Sequence, residues 1–573
     1  MFSCQTHTPV PLSVDGESLD IGETKDSAII ELPSVMETRD SDSFYGPRYG
    51  GILKLANRGD PPAGFDPLRT SSIALHHPGG ALFGPGNLVM RCRENMYLVC
   101  PYLATQWTVN SGFTEWIFTI RQDVYWHDGS ALSPEDIKFW LDLALFGTVD
   151  GVAVRAPAYF SNSLGSVSGV EVLTNNRIQI SSVSRTPQLL EIISDPRFKV
   201  AHPSRIFRDR ILGGDKNTAP MDIGLVGMGP FEFREFIPGS VIKLRKFNNY
   251  FESTVYGQLP YLDGIDYIIM PDPFAMDVAF RTGRLDGGAR GQKHYLSSGR
   301  MGGYVKDLGS TVKFMKIDGG NFRLAFNVLN PGPWNEPSVR RAMSLWIDKE
   351  SAIPGALGGF GYTTPNLFAP DTEVPEIRAA FINWPKFDLE NLEEKRKNAR
   401  GLMEQTGYGD GFAMSHLCRS INLLPCEYLK AELSGLGIDL HLDIIDEGEW
   451  TEARGSLRFD SQQGRLTPSP IPEATESVFG RYSKNPDAYS KHEDNHVDYL
   501  YSELRKSLDF QSRVTRWREI EKYLFLEQTY VIPIAESINV IPYRTNVKGL
   551  FAPIEDAHTH TDFATAWKEA TSN

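Results

Sequence analysis

Histidine is the residue type here most able to do chemistry at neutral pH, and His492-Glu-Asp-Asn-His496 has the H-E-x-x-H spacing. On a helix that spacing puts two imidazoles on one face for Zn²⁺, with Glu493 as general base. The surroundings argue against a helix at that point. Asn485-Pro-Asp487 precedes the motif, Asp494-Asn495 inside it are turn formers, and apolar helical spacing begins only after Asn495. The two histidines are therefore expected to straddle a helix start in a solvated loop, and a zinc-dependent hydrolase using His492 and His496 is the alternative function. His76-His77 and His558-Thr-His560 lack an accompanying carboxylate or cysteine cluster, and adjacent imidazoles point apart, so they read as surface histidines. Gly227-Met-Gly229 lacks the third glycine of a dinucleotide fingerprint and runs into a strand. No phosphate loop and no nucleophile elbow occurs. The chain is expected to be no enzyme and to need no metal and no cofactor.

The five cysteines leave two readings open. Cys92 and Cys100 are eight apart, as are Cys418 and Cys426, and Cys4 stands alone. Local disulfides would suit an oxidising compartment; four small buried thiols would suit any other. Neither pair has the spacing of a structural zinc site.

Those residues need elements to carry them, and 573 residues suffice for three or four domain-sized units. The chain is 41% hydrophobic and 23% charged, ordinary for a globular protein, and no apolar run is long enough to span a membrane. A net charge of −14 argues against nucleic acid or an anionic lipid surface as partner. Half of that imbalance sits in residues 1–45, where nine acids face only Lys25 and Arg39. This stretch reads as a disordered acidic leader without the basic and apolar regions of an export signal, and the folded protein is expected to begin near Tyr45–Gly51.

From Gly50 the texture changes. A glycine turn feeds a short strand at Ile52, Trp116–Ile120 reads as a strand, and the turn Trp126–Gly129 follows it. Ser133-Pro-Glu-Asp136 signals a helix start, with Ile137, Trp140, Leu141 and Ala144 on one face. A hairpin is expected around Thr174-Asn-Asn176. Further strands are expected at Phe231–Glu235, Val241–Arg245, Tyr267–Met270, Phe322–Val328, Tyr530–Ile534 and Ile538–Ile541. Helices are expected over Pro337–Asp348, 389–406, Leu424–Leu436, after a cap at Asn495, and through Val514–Leu524.

Several segments, in order, resemble the family 5 (cluster C) extracytoplasmic solute-binding proteins of ABC importers, which include oligopeptide, dipeptide and nickel receptors. They are Gly50–Ala56 with Phe65-Asp-Pro67, Tyr102–Trp107, Phe118–Gly129 with Ser133–Phe139, Gly227-Met-Gly-Pro-Phe231, Leu259–Asp263 and Ala279–Asp286. Phe326-Asn327, Val339–Ala342, Ile347–Lys349, Gly407–Gly411, Val531–Ile534 and Asn546–Gly549 continue the series. The resemblance implies an α/β, two-lobed periplasmic binding protein-like fold (type II, cluster C) with an additional β-rich domain inserted in the first lobe. The implied division is 46–93, 206–318 and 536–573 for lobe I, 94–205 for the extra domain and 319–535 for lobe II. It further implies a periplasmic monomer that captures a small-molecule or short-peptide ligand and docks on ABC permease transmembrane subunits. Export in turn implies a Cys418–Cys426 bridge, with Cys92–Cys100 the less certain pair.

One departure bears on the ligand. Peptide receptors of this family carry an aspartate segment that pairs with the peptide ammonium, whereas the corresponding stretch here, Phe459–Pro470, has Arg465 after Gly464. A guanidinium forks onto a carboxylate or phosphate, so a peptide-like or anionic solute is expected. The expected ligand contacts are Arg465, Leu466, Thr467 and Ser469, facing Phe65 and Asp66 of the loop Arg58–Asp66, with Trp450 as a stacking or packing residue. Trp126–Gly129 reads as a structural turn.

Overall fold

Gly50 and Gly51 both take positive φ, 110° and 85°, and this turn delivers the chain into β1 (Ile52–Asn57). The structure, a computed structural model, describes residues 46–70, 72–93, 99–158, 161–195, 198–287, 298–363, 391–445, 449–464, 475–485, 488–507, 510–550 and 563–569. The acidic leader 1–45 and His558-Thr-His560 lie outside them.

Helix α1 (Ile73–Phe83) follows, capped by the Ser72 hydroxyl, and is buried on every side. Strands β2 (Ala104–Val109) and β3 (Glu115–Ile120) precede α2 (Pro134–Leu145). β4 (Val167–Leu173) and β5 (Arg177–Ser182) form the expected hairpin. Asn175 and Asn176, at φ 59° and 58°, supply the left-handed pair that such a tight turn demands. Then come β6 (Phe231–Ile237), β7 (Val241–Lys246) and β8 (Gly264–Ile269).

Two sheets result. The first has the order β1-β8-β7-β6, with β1 and β8 parallel. The second, antiparallel β2-β3-β5-β4, is an insertion between β1 and β6. Alternation on β3 turns Trp116, Phe118 and Ile120 inward, and they share one apolar core with Leu53 and Leu55 of β1 and the face Ile137, Trp140, Leu141 and Ala144 of α2.

The next strand is far longer than the expected Phe322–Val328: β9 runs from Val312 to Phe326. Helices α3 (Pro337–Trp346) and α4 (Leu392–Gln405) follow, then β10 (Phe412–Arg419), α5 (Leu423–Ser434), β11 (Ile438–Ile445) and β12 (Ser461–Gly464). Helices α6 (Asn495–Lys506) and α7 (Phe510–Lys522) lead into β13 (Val531–Arg544), one strand where two were expected. The third sheet has the order Gly361–Tyr362, β13, β9, β12, β10, β11, with β12, β10 and β11 parallel. Phe322, Leu324 and Ile532 face α3, α4 and α5 on one side. Ala325, Leu417 and Val531 face α6 and α7 on the other.

β9 and β13 pair from Val312↔Arg544 to Ala325↔Val531 and so link the lobes. Their far ends join the first sheet through Gly287, which bridges Leu55 and Tyr543. Register shifts at Asp318/Gly320 and Phe322/Arg323 interrupt the ladder midway. The fold is the expected two-lobed α/β arrangement with an inserted β-rich sheet. Disulfides close both cysteine pairs, Cys92–Cys100 and Cys418–Cys426. No described helix is long and apolar enough to cross a membrane.

Candidate ligand-binding site

In sheets with parallel strands, ligands sit outside the carboxyl ends of those strands. The carboxyl end of β10 is Arg419 and that of its parallel neighbour β12 is Gly464. The two strands are level, since His416 pairs with Ser461 and Leu417 with Gln462. Beneath these ends lies a buried polar layer. His416 Nδ1 is 2.9 Å from Ser461 Oγ, and Gln462 Nε2 donates to Tyr489 O at 2.5 Å. Burial pushes the His416 pKa down to about 3, so its ring is neutral. Arg323, opposite Gly464 in register, lies with its guanidinium 5.0 Å from the Phe479 ring. Desolvation lowers its pKa to about 10, Glu536 opposing the shift, and it stays charged. A Cβ on Gly464 would come within 2.9 Å of Arg323 Cγ, so only glycine ends β12 without a shift.

The residues singled out from sequence divide. Phe65 and Asp66, expected at the ligand, are buried. Phe65 packs edge-on against Phe236 at 5.9 Å, and Asp66, fully buried, pairs with Arg155 at 2.5 Å and accepts from Leu68 N. Trp450 opens the short helix Trp450–Gly455. Arg465, Leu466, Thr467 and Ser469 lie outside the described residues. Arg419 was missed. Its only sequence signal was a cationic residue closing a strand before the turn Ser420-Ile-Asn422.

Trp126–Gly129 is structural, as read. His127 Nε2 lies 3.0 Å from Gly229 O, its Nδ1 accepts from Gly227 N at 3.2 Å, and His127 N donates to Gly227 O. A Cβ on Gly227 would meet Leu82 O at 2.0 Å and one on Gly229 would meet Ala81 O at 2.5 Å. The Gly227-Met-Gly-Pro230 break thus seats a backbone crossing on the end of α1.

The remaining histidines need correction. His76 and His77 are buried rather than on the surface, because α1 runs through the core. His76 Nε2 is 2.8 Å from Thr70 O, and His77 packs on Tyr267 and Phe563. His492 is also buried, not in a solvated loop. It stacks on Tyr530 at 4.4 Å, its Nε2 is 3.0 Å from Phe479 O, and its Nδ1 accepts from Asp494 N. Asp494, not Asn495, caps α6, and His496 lies exposed beyond it, against Tyr499 and Tyr523. The H-E-x-x-H spacing therefore straddles a helix start and does not bring two imidazoles to one face. No group of three histidine, cysteine or acidic side chains able to hold a metal occurs among the described residues.

A groove of about 790 Å³ lies elsewhere, at the start of β1 and the end of β13, lined by Arg48, Arg281, Asp286, Arg544 and Lys568. Two of its cations are already paired, Lys568 with Asp286 and Arg281 with Asp277.

Residues 99–488 match the family described as bacterial extracellular solute-binding proteins, family 5 Middle. The chain belongs to that family. It is similar to the dipeptide-binding protein of Escherichia coli (strain K12), 21% identical over 85% of this chain and 90% of that one. The nickel-binding periplasmic protein of the same organism is 25% identical over 60% of this chain and 58% of its own length. Among solved structures, the periplasmic binding protein DppA from Helicobacter pylori in complex with the peptide STSA superposes with a TM-score of 0.74 at 18% identity, over 91% of this chain and 99% of that one. Family 5 is a family of solute-binding proteins.

Proposed function

We propose that the chain is the substrate-binding receptor of an ABC importer, capturing a peptide-like, carboxylate-bearing solute between its lobes and handing it to a membrane permease in the periplasm. The observation that carries this reading is Arg419 at the carboxyl end of β10, level with the end of β12, after which the sequence continues with Arg465. The guanidinium of an arginine at a strand end, such as Arg419, matches the fork geometry of a carboxylate. The dipeptide-binding and nickel-binding relatives support the receptor class. The register shifts near Asp318 and Ile538 support a hinge between lobe I (46–93, 206–318, 536–573) and lobe II (319–535), since a broken ladder bends more easily than an intact one.

Calorimetric titration with unprotected alanine peptides of two to four residues, and with their C-terminal amides, tests the reading. The free acids bind, and amidation weakens them by about tenfold or more, the scale of a lost charge-assisted hydrogen bond. Equal binding of acid and amide removes the carboxylate from the reading. Arg465→Ala costs about 2–4 kcal/mol, on the order of 30- to 1000-fold, and Arg465→Lys recovers only part. A loss below about 1 kcal/mol would make Arg465 a rim residue.

A further inference from the structure

We infer that the Cys418–Cys426 disulfide is a positioning brace for Arg419, holding the strand end that meets the solute's anionic group. The inference deepens the proposed function and rests on it. β10 is not held equally along its two edges. On the β11 side pairing continues to the last residue, Arg419↔Ile445. On the β12 side, among the described residues, it covers only His416↔Ser461 and Leu417↔Gln462, although β12 itself continues to Gly464. On that edge Cys418 and Arg419 therefore lie beyond the last paired residue, beside a stretch of β12 that does not pair with them.

The disulfide supplies the missing restraint. It ties Cys418 to Cys426 in the first turn of α5, with Cα atoms 6.3 Å apart. α5 is anchored in the lobe by Leu429 and Leu433, both fully buried in the apolar core. Cys426 Sγ also lies 3.7 Å from Gln463 Oε1, so the bridge packs against the residue that precedes Gly464. The covalent link thus joins the end of β10 to the start of α5, and packs against β12 through Gln463. Between the two cysteines the chain passes from the end of β10 through the short turn Ser420–Asn422 into the first residues of α5. Both cysteines are 0% exposed, which shields the bridge from reductants in the folded protein and suits a permanent brace. Holding a binding side chain in place before the ligand arrives removes an ordering cost from binding.

The brace separates from a purely structural disulfide by a double-mutant cycle on the full chain. The proteins are wild type, Cys418→Ala/Cys426→Ala, Arg419→Ala and the triple variant. They are titrated with the unprotected alanine peptides well below the lowest thermal midpoint. Removing the bridge is expected to weaken binding about 3- to 10-fold when Arg419 is present, and less than twofold when it is alanine. Where the double alanine does not fold, Cys418→Val/Cys426→Ala refills the lost volume and takes its place. Wild-type affinity in the bridge-free protein, with Arg419→Ala weakened, overturns the brace alone. Equal losses in both Arg419 backgrounds overturn it too, because the bridge then acts elsewhere. Wild-type affinity in Arg419→Ala, or no peptide binding by the wild type, overturns the underlying anion reading and the brace with it.

Discussion

His127 shows how a single side chain can join two distant segments. Its Nδ1 accepts from Gly227 N, so the neutral ring carries its proton on Nε2 and donates to Gly229 O. A second proton would have to go onto Nδ1, against an N–H, in a desolvated place, and the pKa falls to about 4. Between the unfolded value near 6.5 and that folded value, the unfolded chain binds more protons than the native one. His127 therefore takes stability away as pH falls through 6.5 to about 4, and adds nothing further below that. Burial lowers His416, His202 and His492 in the same direction. The thermal midpoint should drop over this window. His127→Gln, which can still donate and accept, should flatten part of the drop in a calorimetric comparison at pH 7 and pH 4.5. An unchanged slope in the variant would remove His127 from the acid response.

At the scale of an element, α2 begins where it does because Asp136 does several things at once. Ser133 Oγ accepts from Asp136 N, while Asp136 Oδ2 accepts from Ser133 N at 3.0 Å, closing a capping box. The same carboxylate takes Trp126 Nε1, and its other oxygen takes Ser204 N at 2.7 Å and Ser204 Oγ at 2.6 Å. The helix start is thus also the joint between the Trp126 turn and the helix that begins at Ser204. Ser133→Ala should cost about 1 kcal/mol, the value of one cap. Asp136→Ala leaves four buried or half-buried donors, Trp126 Nε1, Ser133 N, Ser204 N and Ser204 Oγ, without their acceptor and should cost about 3–5 kcal/mol by urea unfolding. Similar losses in the two variants would show that Asp136 is only a cap. The cap was legible because all its parts lie within four residues. The acceptor for Ser204 was not, because the partner is 68 residues away.

Across the whole molecule, the β9–β13 pair is the long ladder that joins the sheet of β1 to the sheet of β10. Its register shift at Asp318/Gly320 falls between the core built by Phe322 and Leu324 and the one built by Val312 and Phe314, while the shift at Phe322/Arg323 lies within the first of these cores. On the proposed hinge, small changes of backbone angle at the Asp318/Gly320 shift would swing one of these interiors against the other. Small-angle scattering should therefore show a lower radius of gyration when the protein is saturated with the alanine peptide that binds it most tightly. An unchanged radius on saturation would exclude closure about this pair.

Sequence alone determined what depends on near neighbours and on ordered motifs. The Asn175-Asn176 turn, the Ser133 cap, the apolar face of α2 and the run of segments from Gly50 to Gly549 needed only residue type and spacing. The family and the two-lobed class followed from that run. Tertiary structure decided what depends on partners far along the chain. Buried Asp66 was expected at the ligand, and its ion pair with Arg155, 89 residues on, could not be read from near neighbours. His76, His77 and His492 looked solvated because a polar residue type carries no record of the helix or ring that later covers it. Arg419 stayed hidden for the same reason. A strand-end cation becomes a candidate anchor only when a parallel neighbour, 45 residues away in sequence, ends beside it.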